Sequence, residues 1–363
     1  MIPVHLIAGA RPNFMKVAPL HRALAAGGWA TPILVHTGQH YDAGMSDAFF
    51  ADLGLPAPDH ALAVGSAGHA EQTARVMTAY DALCDRAPPA ATVVVGDVNS
   101  TLACALVAAK RGLPVAHLEA GLRSRDRTMP EEINRILTDH ASDLLWAPSA
   151  DAVDNLRAEG LPESRISLVG NVMIDSLVAL LPRIAAADPP SALGLDAGER
   201  YVVATFHRPA NVDDPAMLTR ILEELLALSE SAPVVFPLHP RTRARLAAAG
   251  HLAALAEHPR LRLLEPLGYI AFLGLVRRAA AVVTDSGGIQ EETSYLGIPC
   301  LTVRPNTERP VTLTHGTNRL IAPTAIAEAG RAALETRTHR RCAIPLWDGA
   351  AAPRAAESLR HFL

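Results

Sequence analysis

The chain has 363 residues, of which 49% are hydrophobic and 19% are charged, and its formal net charge at pH 7 is −4. This length is too great for one ordinary core and predicts two α/β domains, while the small negative charge argues against a general affinity for nucleic acid or anionic membranes. The four cysteines form no CxxC pair, so their spacing indicates neither a disulfide framework nor a zinc site; they are Cys84, Cys104, Cys300 and Cys342.

The start of the sequence reads as a short strand without a basic leader. No apolar stretch approaches the roughly 18 residues that a membrane helix needs. We therefore expect a cytoplasmic protein without an export or anchoring signal.

Short β-branched runs alternate with longer stretches rich in Ala and Leu along the first half of the chain. The strands predicted there are residues 4–7, 33–36, 92–95, 115–118 and 144–146. Around residues 180–200 the pattern loosens, and further strands are predicted at 201–205, 234–238, 262–264, 281–284 and 300–303. Such alternation predicts parallel sheets in two doubly wound domains with a cleft between them.

The predicted domains are residues 1–172 together with 350–363, and residues 173–349. The C-terminal segment 353–363 looks helical, and we expect it to cross back onto the first domain. Ligands of such sheets bind at the carboxyl ends of the strands, and the polar motifs of this chain follow predicted strands.

The first motif follows the first strand and runs from Gly9 to Lys16. It resembles a phosphate loop only loosely, since the second glycine is missing and no Ser or Thr follows the lysine, which argues against a nucleotide triphosphatase. Arg11 and Lys16 can neutralise a leaving diphosphate without a metal. The chain has only two lysines, Lys16 and Lys110, and retention of Lys16 by chance is the alternative.

Three carboxylates stand at predicted strand or helix ends of the first domain. Asp97 follows the strand at 92–95, Glu119 follows the strand at 115–118, and Glu131 lies in the first turn of a predicted helix. Asp97 could instead be a helix cap, and Glu131 could merely match the helix dipole. Together the three predict an acid/base cluster.

In the second half, His207 and Arg208 follow one strand, and His239 follows the next. We interpret His207 as catalytic, because Arg208 beside it supplies a second anion donor, and His239 as a turn histidine. Arg309 can bring another guanidinium to the same edge. The histidines are scattered without a His-Glu-x-x-His motif, so we predict no essential transition metal and no cofactor.

A strand, a glycine turn and a helix start coincide in the sequence DSGGIQEE, at residues 285–292. Gly287 and Gly288 allow the backbone to approach a ligand, and the helix start attracts a phosphate. A carboxylate one turn further along can hold a ribose diol. Such a turn on its own is equally compatible with a structural connector, so its weight comes from the other motifs.

Taken in order, the motifs of this chain resemble those of the non-hydrolysing UDP-N-acetylglucosamine 2-epimerases. The resemblance runs over residues 9–320, and it rests on GARPNFMKVAPL, TGQHYD, GDVNST, HLEAGLR, MPEEINR, HRP, LHPRTR, DSGGIQEE and NTERP. It implies a GT-B fold, with two Rossmann-like domains, a nucleotide sugar between them, and a homodimer.

The resemblance also implies roles for individual residues. It places Ser286, Gly287 and Gly288 at the diphosphate, Glu292 on the uridine ribose, and Phe272 with the backbone near Leu267 at the uracil. Arg11, Lys16, His207 and Arg309 would line the diphosphate and sugar, while Asp97, Glu119 and Glu131 match the proposed catalytic carboxylates.

Two departures from the family pattern stand out. Ala210 replaces the Glu of a frequent His-Arg-x-Glu-Asn sequence, before Asn211. The TGQHYD turn at residues 37–42 differs from the TGQHRE form of members with a second, regulatory substrate site. Allosteric control by UDP-N-acetylglucosamine is therefore not expected.

The implied activity is reversible epimerisation at C2 of UDP-N-acetylglucosamine to UDP-N-acetylmannosamine, through loss and return of UDP. The alternatives are a hydrolysing relative, an epimerase of a modified UDP-2-acetamido sugar, a GT-B glycosyltransferase and a nucleotide-sugar binding protein without catalysis. An NAD-dependent epimerase is excluded, since GxGxxG and Tyr-x-x-x-Lys motifs are missing.

Overall fold

The computed structural model describes residues 1–38, 50, 52–187, 193, 195, 198–335 and 344–363, with the backbone alone for residues 11, 254 and 256. The chain divides into two compact units, Met1–Ala179 with Pro345–Leu363, and Leu180–Ile344. The sequence predicted the domain boundary after residue 172, which is the first residue of the helix Val172–Ala186. In the structure the boundary lies further along this helix, after Ala179. Most of the TGQHYD motif, Pro189, Pro190 and Cys342 lie outside the described residues.

The first unit contains a parallel sheet whose strand order is β3-β2-β1-β4-β5-β6-β7. Its strands are β1 (Ile2–Ala8), β2 (Ala30–His36), β3 (His60–Ala61), β4 (Ala91–Val95), β5 (Val115–Leu118), β6 (Leu144–Ala147) and β7 (Ile166–Leu168). Its helices are α1 (Arg11–Gly27), α2 (His69–Arg86), α3 (Asn99–Lys110), α4 (Pro130–Ala141), α5 (Ala150–Ala158), α6 (Val172–Ala186, continuing into the second unit) and the C-terminal helix α15 (Ala351–Phe362).

The second unit contains a second parallel sheet, with the order β10-β9-β8-β11-β12-β13. Its strands are β8 (Val202–Thr205), β9 (Val234–Pro237), β10 (Leu261–Leu264), β11 (Ala281–Thr284), β12 (Cys300–Thr302) and β13 (Asn318–Leu320). Its helices are α7 (Pro209–Val212), α8 (Pro215–Ser229), α9 (Pro240–Ala248), α10 (Leu252–Ala256), α11 (Tyr269–Arg278), α12 (Gly287–Leu296), α13 (Val311–Thr314) and α14 (Ile326–Glu335).

Both sheets have the strand order of doubly wound nucleotide-binding folds. In such sheets the order of the strands reverses beside the first strand, while all strands stay parallel. Every residue of β4 and of β11 is buried, because helices cover both faces of a parallel sheet. The predicted α/β class with two Rossmann-like parallel-sheet domains is thereby confirmed, and it is consistent with a GT-B fold.

The predicted strands are confirmed, with β1 and β2 longer than expected. Three strands were missed: His60–Ala61, Ile166–Leu168 and Asn318–Leu320. Each is an edge strand of three residues or fewer.

The C-terminal helix belongs to the first unit, as expected from the sequence. The Asp175 carboxylate in α6 accepts hydrogen bonds from the backbone N–H groups of Ala351 (3.0 Å) and Ala352 (2.7 Å). These two bonds satisfy donors of the first turn of α15 and fix that helix to the unit. No helix in the described part of the chain combines the length and apolar character needed to cross a membrane.

Candidate active site

In the first unit, two predicted site residues meet beside the end of β4. The Lys16 ammonium forms a buried ion pair with the Glu119 carboxylate. A Cβ atom on Gly96 would lie 3.3 Å from Glu119 Oε2 and 3.4 Å from Lys16 Nζ. Glycine at position 96, with its φ of +70°, therefore lets the pair lie against the strand end.

Glu119 itself adopts a φ of +73°, an unusual conformation for a residue with a side chain. It follows β5 directly and is 4% exposed. A non-glycine residue in the left-handed region is strained, and such strain collects at functional sites, where the surroundings hold it in place. This backbone geometry marks Glu119 as the most constrained of the three predicted carboxylates.

The loop between β1 and α1 is held by Asn13. Its side-chain oxygen accepts hydrogen bonds from the backbone N–H groups of Gly9 (3.1 Å) and Ala10 (2.9 Å), and its amide donates to the carbonyl of Val95 (3.0 Å). The first motif is thus tied to the end of β4. The side chain of Arg11 is outside the described atoms, so its role stays a prediction.

Asp97 lies on the same turn and is held by helix α4. Its carboxylate is 3.1 Å from the Arg135 guanidinium, and its carbonyl accepts a hydrogen bond from Asn134 (2.9 Å). Helix α3 begins at Asn99, and its N-cap is Val98. The alternative role of Asp97 as a helix cap is therefore wrong.

Glu131 and Glu132 both lie in the first turn of α4, as predicted, but their environments differ. Glu131 is exposed. Glu132 is buried and accepts hydrogen bonds from the backbone N–H groups of Ser124 and Arg125, both at 2.9 Å, and lies 3.2 Å from Arg135. Glu132 is therefore an anchor of the preceding loop, whereas the predicted role of Glu131 stays a prediction.

Beneath the Glu119 turn lies a buried polar network around His117. One ring nitrogen is 2.8 Å from the Gly96 carbonyl oxygen and the other is 2.6 Å from the Asp139 carboxylate. Asp139 also pairs with Arg123 (2.7 Å). Burial alone would raise the pKa of Asp139, but His117 and Arg123 outweigh it and hold that pKa below its ordinary value.

The network joins the turns after β4 and β5, because Asp139 also accepts a hydrogen bond from the backbone N–H of Gly121 (3.0 Å). One ring nitrogen of His117 contacts the Gly96 carbonyl oxygen, and the other contacts the Asp139 carboxylate that holds Gly121. His117 thus links the turn that carries Asp97 to the one that carries Glu119.

In the second unit, Asp285 organises the loop that follows β8. Its carboxylate accepts hydrogen bonds from the backbone N–H groups of His207 (3.1 Å) and Arg208 (3.0 Å) and from the Asn211 amide (3.0 Å). It also lies 3.1 Å from His207 Nδ1. Burial opposes ionisation of Asp285, but the bonds from His207, Asn211 and Arg208 lower its pKa below the ordinary value.

The contact between Nδ1 and the Asp285 carboxylate orients the ring of the predicted catalytic histidine. The His207 side chain is 37% exposed. The His239 ring lies beside it at a tilt of 39°, with ring centroids 5.4 Å apart. His239 is the N-cap of α9, and its side chain accepts a hydrogen bond from the backbone N–H of Arg241 (3.2 Å), which agrees with a structural role.

The two glycines at the start of α12 differ in what surrounds them. A Cβ on Gly287 would lie 2.7 Å from Glu308 Oε1 and 2.9 Å from Arg309 Nη1, so an alanine there would displace the paired Glu308 and Arg309 side chains. A Cβ on Gly288 would meet no described atom within 4 Å. An alanine at position 288 would therefore fit against the described protein atoms without a clash. Ser286 is the N-cap of this helix.

Arg309 lies between two carboxylates in the same unit. Its guanidinium is 2.6 Å from Glu291 and 2.7 Å from Glu308, and Glu308 also pairs with Arg304 (2.9 Å). Burial would raise the pKa of Glu308, but Arg309 and Arg304 hold it far below the ordinary value. Arg309 is thus fixed beside the helix start, where the sequence placed it.

The neighbouring carboxyl group, Glu292, has a different kind of partner. The Tyr269 hydroxyl donates a hydrogen bond of 2.8 Å to Glu292 Oε1. Burial raises the pKa of Glu292 to about 8, and Glu291 adds to that rise. Phe272 and Leu267, which the resemblance placed at a uracil, are half-buried on and before the first turn of α11.

Several residues that hold these groups in place were not predicted from the sequence, namely His117, Glu132, Arg135, Asp139, Tyr269, Asp285 and Glu291. One of these contacts had a readable signal, since Glu132 and Arg135 are three residues apart on one helix and such pairs meet. The others join residues distant in sequence.

Comparison with known proteins supports one family. A family model for UDP-N-acetylglucosamine 2-epimerase matches residues 22–360. The chain belongs to this family.

Among the relatives of this epimerase-family chain, the UDP-2,3-diacetamido-2,3-dideoxy-D-glucuronate 2-epimerase of Pseudomonas aeruginosa is 42% identical over 333 residues, covering 90% of this chain and 91% of that protein. The UDP-N-acetylglucosamine 2-epimerase of Methanocaldococcus jannaschii is 40% identical over 322 residues, covering 87% of each chain. A crystal structure of the Methanocaldococcus jannaschii UDP-GlcNAc 2-epimerase in complex with UDP-GlcNAc and UDP is similar with a TM-score of 0.90 at 37% identity, covering 99% of this chain and 100% of that one.

Proposed function

We propose that this epimerase-family chain interconverts UDP-N-acetylglucosamine and UDP-N-acetylmannosamine without hydrolysing the nucleotide link. The observation that carries the proposal is the buried Lys16–Glu119 pair beside Gly96, with Asp97 on the same turn. The proposal is supported by a carboxyl group and a cation that meet at the carboxyl ends of β4 and β5, where doubly wound sheets bind ligands.

The chemistry follows from the substrate. The proton at C2 of the sugar is not next to a carbonyl and is hardly acidic, so a base needs help from a leaving group. As the base takes the C2 proton, the C1–O bond breaks, its electron pair leaves with UDP, and a C1–C2 double bond forms. The products of this half-reaction are a 2-acetamidoglucal and UDP. Return of a proton to C2 from the opposite face, with UDP oxygen rebonding to C1, gives the epimer.

Protonation on two faces of C2 calls for more than one acid/base group. We assign these roles to Asp97, Glu119 and Glu131 as a group. Glu119 is buried against Lys16, Asp97 is held by Arg135, and Glu131 is exposed on α4. A two-face transfer needs an acid/base group on each face of C2, and three carboxyl groups at different loop ends can supply them.

The second unit is proposed to hold UDP. Ser286, Gly287 and Gly288 would meet the diphosphate at the start of α12, where backbone N–H groups and the helix dipole favour an anion. Arg309, His207, Arg11 and Lys16 would stabilise the charge that grows on the departing oxygen. Glu292 would hold the ribose, and Phe272 with the backbone near Leu267 would meet the uracil.

The test is product analysis after incubation of the purified protein with UDP-N-acetylglucosamine. UDP-N-acetylmannosamine at equilibrium with the substrate, with no free UDP accumulating, supports the proposal. Free UDP with N-acetylmannosamine would instead identify a hydrolysing enzyme. Glu119→Gln serves as the matched variant, since it keeps the size of the side chain and removes its base.

A second candidate substrate is a UDP-2,3-diacetamido sugar acid, because the Pseudomonas aeruginosa relative that is 42% identical is named for one. The C2 chemistry would be the same and the sugar pocket would differ. Assaying both nucleotide sugars side by side decides between them through the ratio of their kcat/KM values.

The family resemblance also leads us to propose a homodimer of cytoplasmic location that acts in polysaccharide biosynthesis. Light scattering of the purified chain tests the dimer, since the mass of a single chain is 38.4 kDa.

A further inference from the structure

Two adjacent buried carboxyl groups on helix α12 have partners of opposite kind. Glu291 lies 2.6 Å from the Arg309 guanidinium, a permanent cation. Glu292 accepts a 2.8 Å hydrogen bond from the Tyr269 hydroxyl, a neutral donor. An ion pair stabilises the charged form of Glu291, whereas a phenol fixes the position of one Glu292 oxygen without compensating a full charge.

Tyr269 is well placed to act through Glu292. It is the first residue of α11, and Phe272 lies three residues further along, on the same face of that helix. Burial, together with Glu292, raises the pKa of the Tyr269 hydroxyl far above its ordinary value, so this hydroxyl remains a donor. Helix α11 therefore carries a fixed donor to Glu292 of α12 and, on the same face as that donor, an aromatic ring.

We propose that Tyr269 is a positioning residue, which holds Oε1 of Glu292 and leaves the second carboxyl oxygen for a ribose hydroxyl, so that the site selects ribose over 2′-deoxyribose. The inference rests on the proposed binding of UDP in this unit. A carboxyl group whose rotation is fixed can accept from a ribose hydroxyl at a defined place, and a freely rotating one loses that discrimination.

The charge around Glu292 gives the proposal a second observable. Burial, with a contribution from Glu291, raises the pKa of Glu292 to about 8, while the Tyr269 hydrogen bond acts to lower it. Ribose hydroxyls donate to a carboxylate, so binding favours the ionised form and releases a proton. UDP affinity should therefore increase as the pH rises towards about 8 and level off above it.

The experiment compares the dissociation constants of UDP and 2′-deoxy-UDP by titration calorimetry for wild type, Tyr269→Phe and Glu292→Gln. For wild type the dissociation constant of 2′-deoxy-UDP should be at least about tenfold higher than that of UDP, as expected for a lost hydrogen bond to a charged group. Tyr269→Phe should bring the ratio to within about threefold, and the double variant should lose little beyond either single change.

Tyr295→Phe is the matched control, because Tyr295 is half-buried in the same helix as Glu292. It should keep the wild-type ratio. The pH profile adds a readout that a general structural defect does not move: Tyr269→Phe should shift the rise in UDP affinity to higher pH, and Glu292→Gln should abolish it. Thermal unfolding of each variant checks that it is folded.

A wild-type ratio in a folded Tyr269→Phe protein would overturn the proposal. Equal binding of UDP and 2′-deoxy-UDP by wild type would also overturn it, while leaving UDP binding and the proposed function intact. A wild-type protein that binds no UDP at all would contradict the proposed function itself, and this inference with it.

Discussion

Replacing Lys16 with methionine should expose how much the first unit depends on the buried Lys16–Glu119 pair. The two side chains are 10% and 3% exposed, so neither charge is well hydrated. Removing one member of such a pair leaves an uncompensated buried charge and typically costs about 3–5 kcal/mol. We expect Lys16→Met to lower the free energy of unfolding of the first unit by about 3 kcal/mol near neutral pH.

The chain offers a clean control and a selective probe. Lys110 is the only other lysine and is exposed at the end of α3, so Lys110→Met should change stability by less than about 0.5 kcal/mol. All three tryptophans, which are Trp29, Trp146 and Trp347, lie in the first unit. Tryptophan fluorescence during urea unfolding therefore reports the unit that contains the pair.

A double-mutant cycle with Glu119→Gln isolates the pair itself. The double variant should be more stable than Lys16→Met, because the unpaired charge is gone. The loss in Lys16→Met should also shrink as the pH falls, since the isolated Glu119 carboxyl can take up a proton. A Lys16→Met protein as stable as Lys110→Met would refute the reasoning.

Three further predictions concern binding, turnover and acid stability. Gly288→Ala should fold like wild type and weaken UDP binding about tenfold or more. Gly287→Ala should instead lower the melting temperature, because its Cβ meets Glu308 and Arg309. A melting scan and a UDP titration separate the two effects, and the reverse pattern would contradict this expectation. Glu119→Gln should bind UDP within about threefold of wild type and lose turnover by about a hundredfold or more, and wild-type turnover would defeat the carboxylate assignment. Burial, with a contribution from His60, lowers the pKa of His5 to about 4. The free energy of unfolding should therefore fall by up to about 3 kcal/mol as the pH drops from about 6.5 to 4. His5→Gln should flatten this pH dependence, measured by urea unfolding at a series of pH values.

The sign of the His5 prediction follows from the two states. The folded protein keeps this ring neutral between about pH 4 and 6.5, while the unfolded chain binds a proton there. Acid therefore favours unfolding across that window. His5 is 1% exposed, and its ring nitrogen lies 3.2 Å from the Tyr80 hydroxyl, so a proton has little solvent to stabilise it.

The fold was largely predictable because the central strands are buried on both faces and read as continuous apolar runs. Residues 91–95 and 281–284 are examples. The three missed strands, at residues 60–61, 166–168 and 318–320, lie at sheet edges, and all of their residues except Asn318 are half-buried or exposed. A run of two or three such residues has no periodicity to detect, and only pairing with a neighbouring strand makes it a strand.

The positions of the motif loops were predictable for a related reason, since each follows a buried strand. The partners within those loops were not. Lys16 and Glu119 are 103 residues apart, and Tyr269 and Glu292 are 23 apart. Several charged groups reach the same sheet edge, and tertiary packing decides which of them pair. The sequence thus located the groups, while the structure shows which of them are restrained and by what.

The most direct test of the account is proton NMR of the purified protein with UDP-N-acetylglucosamine in heavy water. The anomeric signals report the nucleotide link, and loss of the C2 proton signal reports exchange with solvent. The account predicts UDP-N-acetylmannosamine with deuterium at C2 and the link to UDP retained. Epimer formed without deuterium at C2, or no exchange and no epimer with either this sugar or the diacetamido sugar acid, would contradict it.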